Sequence, residues 1–412
     1  MEHLALLGGP RAKTVPFGTG ERFGEPELAQ LREALEQQTL FYWKGGKVKA
    51  FTQKFAGLYG SPYCVAASSG TAAIHVALGA IGITEGDEVI TSPITDMGSV
   101  IGILYQNAIP IFADLDPHTY NMTAETIAPR ITDKTRAILV VHLAGNPADM
   151  DPIMALAGQH NIPVIEDCAQ SYLCFDQGRL AGTIGAIGCF SLNDFKHISA
   201  GDGGMLLTKD DQLYERAFRF ADKNYDRLNS GREVPWLAPN YRMNELTGAV
   251  GIAQLDRLRD ICDRRGRYGD GLTSGIAGLP GIHPPRVRPG CRSSYWFYML
   301  RIDEQASGVG RDAFCAALRA EGVPCDPGYI PSCVYAYPLF QNLSAYPGTH
   351  SPFDSPYYGR PIHYPAGLCP TAEAILATAV RLPVSEFYTD QDLEEVIAAI
   401  RKVAAYYQEN RP

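Results

Sequence analysis

Between residues 63 and 208 short apolar runs alternate with segments of helical composition. This alternation restricts the fold more than any other feature of the chain. Tyr63–Ala67 reads as a strand, and residues 72–81 read as a helix that closes in 82–86. Strand-like runs recur at 87–91, 110–113 and 137–141. A helix is expected over about 152–160, and an apolar run over 162–166 stops at Asp167. Runs 189–191 and 205–208 flank a Gly-rich turn. Short buried strands separated by helices predict an α/β fold, with a mixed, mostly parallel sheet between helices. Ligands of such sheets sit at the carboxyl ends of the strands. Ser69, Asp167 and the turn around Lys196 all fall at or just after predicted strand ends.

Helical spacing over 244–264 (Leu246, Val250, Ile252, Leu255, Leu258, Ile261) predicts a link between two domains. We assign 1–255 to a large domain with an N-terminal segment, and 256–412 to a smaller α/β domain. In the second, 294–302 and 323–326 read as strands and Arg311–Ala320 as a helix. Residues 331–370 read as a long ordered loop, and a last helix begins at Asp390 with Thr389 as N-cap.

With 46% hydrophobic and 20% charged residues, the 412-residue chain is of globular composition. A net charge of −9 without a polybasic block argues against a nucleic-acid or membrane surface. The ten cysteines include no Cys-x-x-Cys pair and no Cys/His zinc spacing, so no metal site is expected. Cys64, Cys168 and Cys189 lie in apolar segments, which predicts buried free thiols. The first residues lack the basic and apolar parts of a signal peptide, and no apolar run is long enough to span a bilayer. A cytoplasmic enzyme is the expectation.

Four residues separate Lys196 from Gly201-Asp-Gly-Gly204, and Asp167 lies upstream at a strand end. Alone, a lysine is an ordinary solvated charge and a strand-end acid an ordinary cap. Together they suit pyridoxal phosphate: a desolvated lysine can form a Schiff base, and an acid can keep the pyridine nitrogen protonated. Ser69-Gly-Thr-Ala72 follows a strand and opens a helix, whose N-terminus favours a phosphate. Ser191 could bond that phosphate as well.

Several motifs resemble the DegT/StrS family of pyridoxal phosphate-dependent sugar aminotransferases. They are Ser69-Gly-Thr-Ala72, Glu166-Asp-Cys-Ala-Gln170, Phe190-Ser-x4-Lys196-x4-Gly-Asp-Gly-Gly204 and Asn240-Tyr-Arg-Met-x-Glu245. Leu4-Ala-Leu-Leu-Gly-Gly9, Gly45-Gly-Lys-Val48 and Arg381-Leu-Pro-Val384 are similar too, so the likeness covers nearly the whole chain. It implies the type I aminotransferase fold, with Lys196 as Schiff-base former and proton carrier. Asp167 would pair with the pyridine nitrogen, Gln170 would sit beside the ring, and Gly70, Thr71, Ala72 and Ser191 would hold the phosphate. Asn240 would reach the phosphate of a neighbouring subunit, which implies a homodimer with shared sites. Arg242 and Glu245 would shape that loop.

The resemblance implies an amino-acid donor, glutamate or glutamine, and an acceptor that is a keto-cyclitol or a keto sugar, nucleotide-linked or not. Two other readings stay open: a pyridoxal phosphate-dependent sugar dehydratase, and a non-catalytic regulatory protein of the same fold. The family's dehydratase branch carries His where Lys196 stands, and His197 reads as a packing residue. In Pro93-Ile-Thr-Asp-Met97 the family usually has a ring-stacking aromatic where this chain has Asp96, so Asp96 or Met97 is expected to face the ring. Loops 227–239 and 331–370 are candidates for specificity, while Tyr42, Trp43 and Tyr241 are candidates either to line the pocket or to serve as aromatic packing.

Overall fold

Seven strands form the central sheet in a computed structural model that describes residues 3–227, 229, 231 and 233–410. They are β1 Tyr63–Ala67, β2 Glu88–Thr91, β3 Ile109–Phe112, β4 Thr135–Val141, β5 Val164–Asp167, β6 Ile187–Ser191 and β7 Gly204–Thr208. Their order is β1-β7-β6-β5-β4-β2-β3. Pairs β3·β2, β2·β4, β4·β5 and β5·β6 are parallel, whereas β7 runs antiparallel to both neighbours. The segment joining β6 to β7 contains no crossover helix, so the chain returns antiparallel. Strands β5, β6 and β7 are buried along their whole length because helices cover both faces.

A second, antiparallel sheet has the order β8-β9-β11-β10: β8 Ile282–His283, β9 Phe297–Ile302, β10 Asp326–Pro327 and β11 Ala379–Pro383. The expected strands at 294–302 and 323–326 are therefore shorter and slightly displaced. The loop 331–370 contains two short helical turns, Val334–Ala336 and Pro338–Gln341. It is anchored where Tyr335, Phe340 and Tyr364 meet Phe112 of β3.

The helix Glu245–Ile276 runs well past residue 264. Its glycines weaken the sequence signal, because glycine is a poor helix former. Tertiary packing requires two of them: a Cβ at Gly269 would meet Tyr295 at 2.4 Å, and one at Gly275 would meet Ile397 at 2.3 Å. Leu255, Leu258, Ile261 and Cys262 pack with Phe51, Tyr172 and Phe190 beside the large sheet. Tyr268, Leu272 and Ile276 pack with Tyr298 and Phe314 of the small one. A boundary after residue 255 therefore falls inside a continuous helix, and we propose instead that the division lies between Cys262 and Tyr268.

The N-terminal segment, grouped with the large domain by sequence order, packs on the small one. Leu4 joins the small-sheet core. The Ala5 and Ala12 N–H groups donate to Glu321, and buried Lys13 pairs with Asp392 at 2.9 Å and Glu395 at 2.8 Å. All ten cysteines are unpaired and nine are buried. Among the described residues no helix is long and apolar enough to cross a membrane.

Candidate active site

The carboxyl ends of β1, β5 and β6 open on a cavity of about 680 Å³ between the two sheets. Ser69 ends the turn after β1 and caps the helix Gly70–Ile81, its Oγ accepting the Ala72 N–H at 3.0 Å. The helix thus begins at the cavity with Gly70 and Thr71 in its lining. Gly70 is required there: a Cβ would lie 2.6 Å from that of Ser191, at the end of β6. Gly204 lets β7 approach the same turn, since a Cβ on it would meet the Ser69 carbonyl oxygen at 2.1 Å. A helix N-terminus, the Thr71 side chain and the Ser191 hydroxyl form a cradle suited to a phosphate.

Asp167 lies at the end of β5 and is buried. It accepts the Ser99 hydroxyl at 2.6 Å and the Ala169 N–H at 3.0 Å. Among the described residues no cationic side chain comes within ion-pair distance of it. Burial raises its pKa, while Ser99, Ala169 and the charge of Lys196 oppose the rise. A buried carboxylate lacking a counter-charge suits a protonated pyridine nitrogen. Gln170 lines the cavity between two contacts, its Oε1 accepting the Ala144 N–H at 2.8 Å and its Nε2 donating to the Tyr329 hydroxyl at 3.2 Å.

Lys196 sits on the β6–β7 turn. Gly201 and Gly203 have φ of +82° and +153°, a backbone open to few other residues. The turn is clamped from behind by Arg22, which donates to the carbonyls of Asp194 and, at 2.6 Å, Lys196. Burial pushes the Lys196 amine down to about 8, against the opposing charges of Asp167 and Asp96. His197, by contrast, is fully buried behind the turn: its Nε2–H donates to the Ser294 carbonyl at 2.9 Å, and burial holds its pKa well below the usual value. It is a packing residue.

Two of the expected site residues lie off the cavity lining, and Asn240, expected at a neighbouring subunit's site, is not part of the lining of its own. Ala72 is buried in the core with its N–H occupied by Ser69, so it does not line the cavity. Met97 precedes the helix Gly98–Tyr105 and packs against the core on the β2–β3 side, while exposed Asp96 lines the cavity and accepts the Gly98 N–H at 2.8 Å. Asn240 is exposed and outside its own chain's cavity. Near it, Arg242 donates to Asp222 at 3.0 Å, and Glu245 accepts the N–H groups of Lys47 and Val48. Tyr42 and Trp43 border a separate cavity of about 410 Å³, and the Tyr241 hydroxyl meets His75 at 3.1 Å. Of the loop 227–239, residues 228, 230 and 232 lie outside the described residues.

The sequence reading missed Trp296, Tyr329, Arg265 and Arg381, which close the cavity from the side of the small sheet. No local pattern marks them; only Arg381 lay in a quoted motif. His142, Glu166 and Cys168 also cluster, away from the cavity lining. His142 Nδ1 accepts the Ala148 N–H and its Nε2–H donates to Glu166, which also accepts the Gly182, Ile184 and Gly185 N–H groups. That cluster braces the end of β5.

Residues 21–354 match the sequence profile of the DegT/DnrJ/EryC1/StrS aminotransferase family. The chain belongs to that family. A relative named as a putative L-glutamine:3-amino-2,3-dideoxy-scyllo-inosose aminotransferase, from Streptoalloteichus tenebrarius, is 36% identical over 333 residues, 78% of each chain. A GDP-perosamine synthase from Caulobacter vibrioides is 32% identical over 363 residues, 87% of this chain and 90% of the relative. An aminotransferase structure from Psychrobacter cryohalolentis superposes with a TM-score of 0.83 at 31% identity, covering 95% of this chain and 100% of the other. The family member described here is a pyridoxal phosphate-dependent aminotransferase with the type I fold.

Proposed function

We propose that this aminotransferase moves an amino group from glutamate or glutamine to a ketone on a sugar or cyclitol, working as a homodimer with shared sites. The observation that carries this reading is the cavity that joins Lys196, Asp167 and the start of the helix Gly70–Ile81. The relatives named above act, by their names, on an amino-deoxy-inosose and in GDP-perosamine formation, so cyclitol and nucleotide-sugar acceptors both fit.

Bound pyridoxal phosphate supplies the carbonyl that takes the amine and an electron sink that lowers the barrier to proton removal. Gly70, Thr71 and Ser191 hold its phosphate, and Asp167 balances the charge of the ring nitrogen. Gln170, fixed between Ala144 and Tyr329, flanks the ring. Lys196 acts as nucleophile and then as the base that moves a proton; an amine poised near 8 is partly neutral at physiological pH and serves both roles. Asn240, exposed on its own chain, is assigned to the phosphate of the partner's site. Ten unpaired thiols suit a reducing compartment such as the cytoplasm. A panel of keto-cyclitols and nucleotide keto sugars, incubated with glutamate or glutamine and followed by mass, should yield an amino product. A deoxy product in place of the amino product would replace this reading with the dehydratase.

A further inference from the structure

The Lys196 amine has no hydrogen-bond or ion-pair partner among the described residues; its close contact is an aromatic face. Nζ lies 3.7 Å from the centroid of Trp296, well inside the range of a cation–π interaction. The indole is held firmly. Its Nε1–H donates to the carbonyl of Phe195, the residue before Lys196, at 2.7 Å. The Trp296 N–H donates to Ala144 at 2.9 Å, and its carbonyl accepts from Arg265 at 3.3 Å. Tyr329 meets the ring edge-on at 5.7 Å and 81°.

Two domains therefore meet at one contact: Lys196 comes from the β6–β7 turn, Trp296 from just before β9. We propose that Trp296 is the positioning residue of the catalytic lysine, its indole face being where the lysine ammonium rests whenever that amine is not bonded to the cofactor. A lysine released during amino transfer needs a nearby place that tolerates its charge without trapping it as a close carboxylate pair would. The charged side chains sharing the cavity are Asp167, Asp96, Asp202, Arg265 and Arg381; His197 and Arg22 lie behind the turn. The two acids acting on Lys196 do so without a direct contact. The π face adds a direct contact with the protonated amine, on top of the through-space attraction of Asp167 and Asp96.

The inference rests on Lys196 being the working amine, and its test does not depend on turnover. Trp43 and Trp236 line other cavities, so fluorinated tryptophans can be incorporated throughout the natural chain with Trp296 as the one that meets Lys196. With the cofactor loaded in its amine form, Lys196 is unbonded. Its labelling by acetic anhydride is then followed against pH by peptide mass. Stepwise fluorination weakens the π face while keeping shape and N–H. The protonation constant of Lys196 should fall with each step, by about tenfold in total from tryptophan to tetrafluorotryptophan. Trp296→Phe should retain part of the effect, and its melting curve reports whether it folds. A labelling midpoint that stays flat across the fluorinated series overturns the proposal, whatever the activity of the same proteins.

Discussion

Asp167, Ser191 and Lys196 lie within one stretch of strand and turn, and β7 returns that stretch against the helix start at Gly70. Trp296, Tyr329 and Arg381 come from the second sheet and its connections, and meet the first group only through the fold. The first set is held by backbone: strand ends, a helix N-terminus and glycines that leave no room for a Cβ. The second is held by side chains touching side chains, such as Tyr329 on Gln170 and Trp296 over Lys196. Chemistry common to a family of reactions belongs on the rigid side. The wall of longer loops is where substrates can be told apart.

This contrast breaks if losses on the two sides are alike. Lys196→Ala should give the largest effect: the visible absorbance of the lysine-bound cofactor disappears, and kcat falls by about 10³-fold or more. Asp167→Asn should follow, with kcat down by roughly 10²-fold, since the buried carboxylate no longer balances the ring nitrogen. On the opposite wall Tyr329→Phe removes one hydrogen bond to Gln170. That is worth about 1 kcal/mol, or about fivefold in kcat/KM, and should vary between acceptors. A Tyr329→Phe loss as large as that of Asp167→Asn would show that the two walls are not divided in this way.

Two smaller predictions concern stability. The Lys196 amine is lowered to about 8 from 10.5, so between these values the unfolded chain binds more protons than the folded one. Stability from this group therefore rises with pH across that window, and burying the charged form costs stability below it. In cofactor-free protein Lys196→Met should melt at a higher temperature than the parent at pH 7, with the gap narrowing toward pH 10. Ser69→Ala should cost about 1 kcal/mol in urea unfolding through the lost N-cap, with a modest weakening of phosphate binding.

Much of the rigid side was legible beforehand, because its residues lie close to the strand ends that position them. Lys196, Asp167, Gly70, Thr71, Gln170 and Ser191 all line one cavity. Ala72 and Met97 turn toward the core for a local reason: neighbouring side chains at a helix start point in different directions, so Thr71 lines the cavity while Ala72, the next residue, is buried, and Met97, just before a helix, packs inward beside Asp96. The N-terminal segment was assigned by sequence order, yet the Lys13 ion pair ties it to the last helix of the chain.

The alternation of apolar runs and the spacing of motifs determined, without coordinates, the α/β architecture, the family and the lysine–acid pair. Strand period, turn chemistry and helix start are local properties, written in neighbouring residues. The close face of the lysine, the buried carboxylate without a cation and the wall made by the small sheet were decided only by tertiary structure. Each depends on residues far apart in the chain, Ser99 with Asp167, Lys196 with Trp296 and Gln170 with Tyr329, and the physics of desolvation and ring contact begins only once they have met.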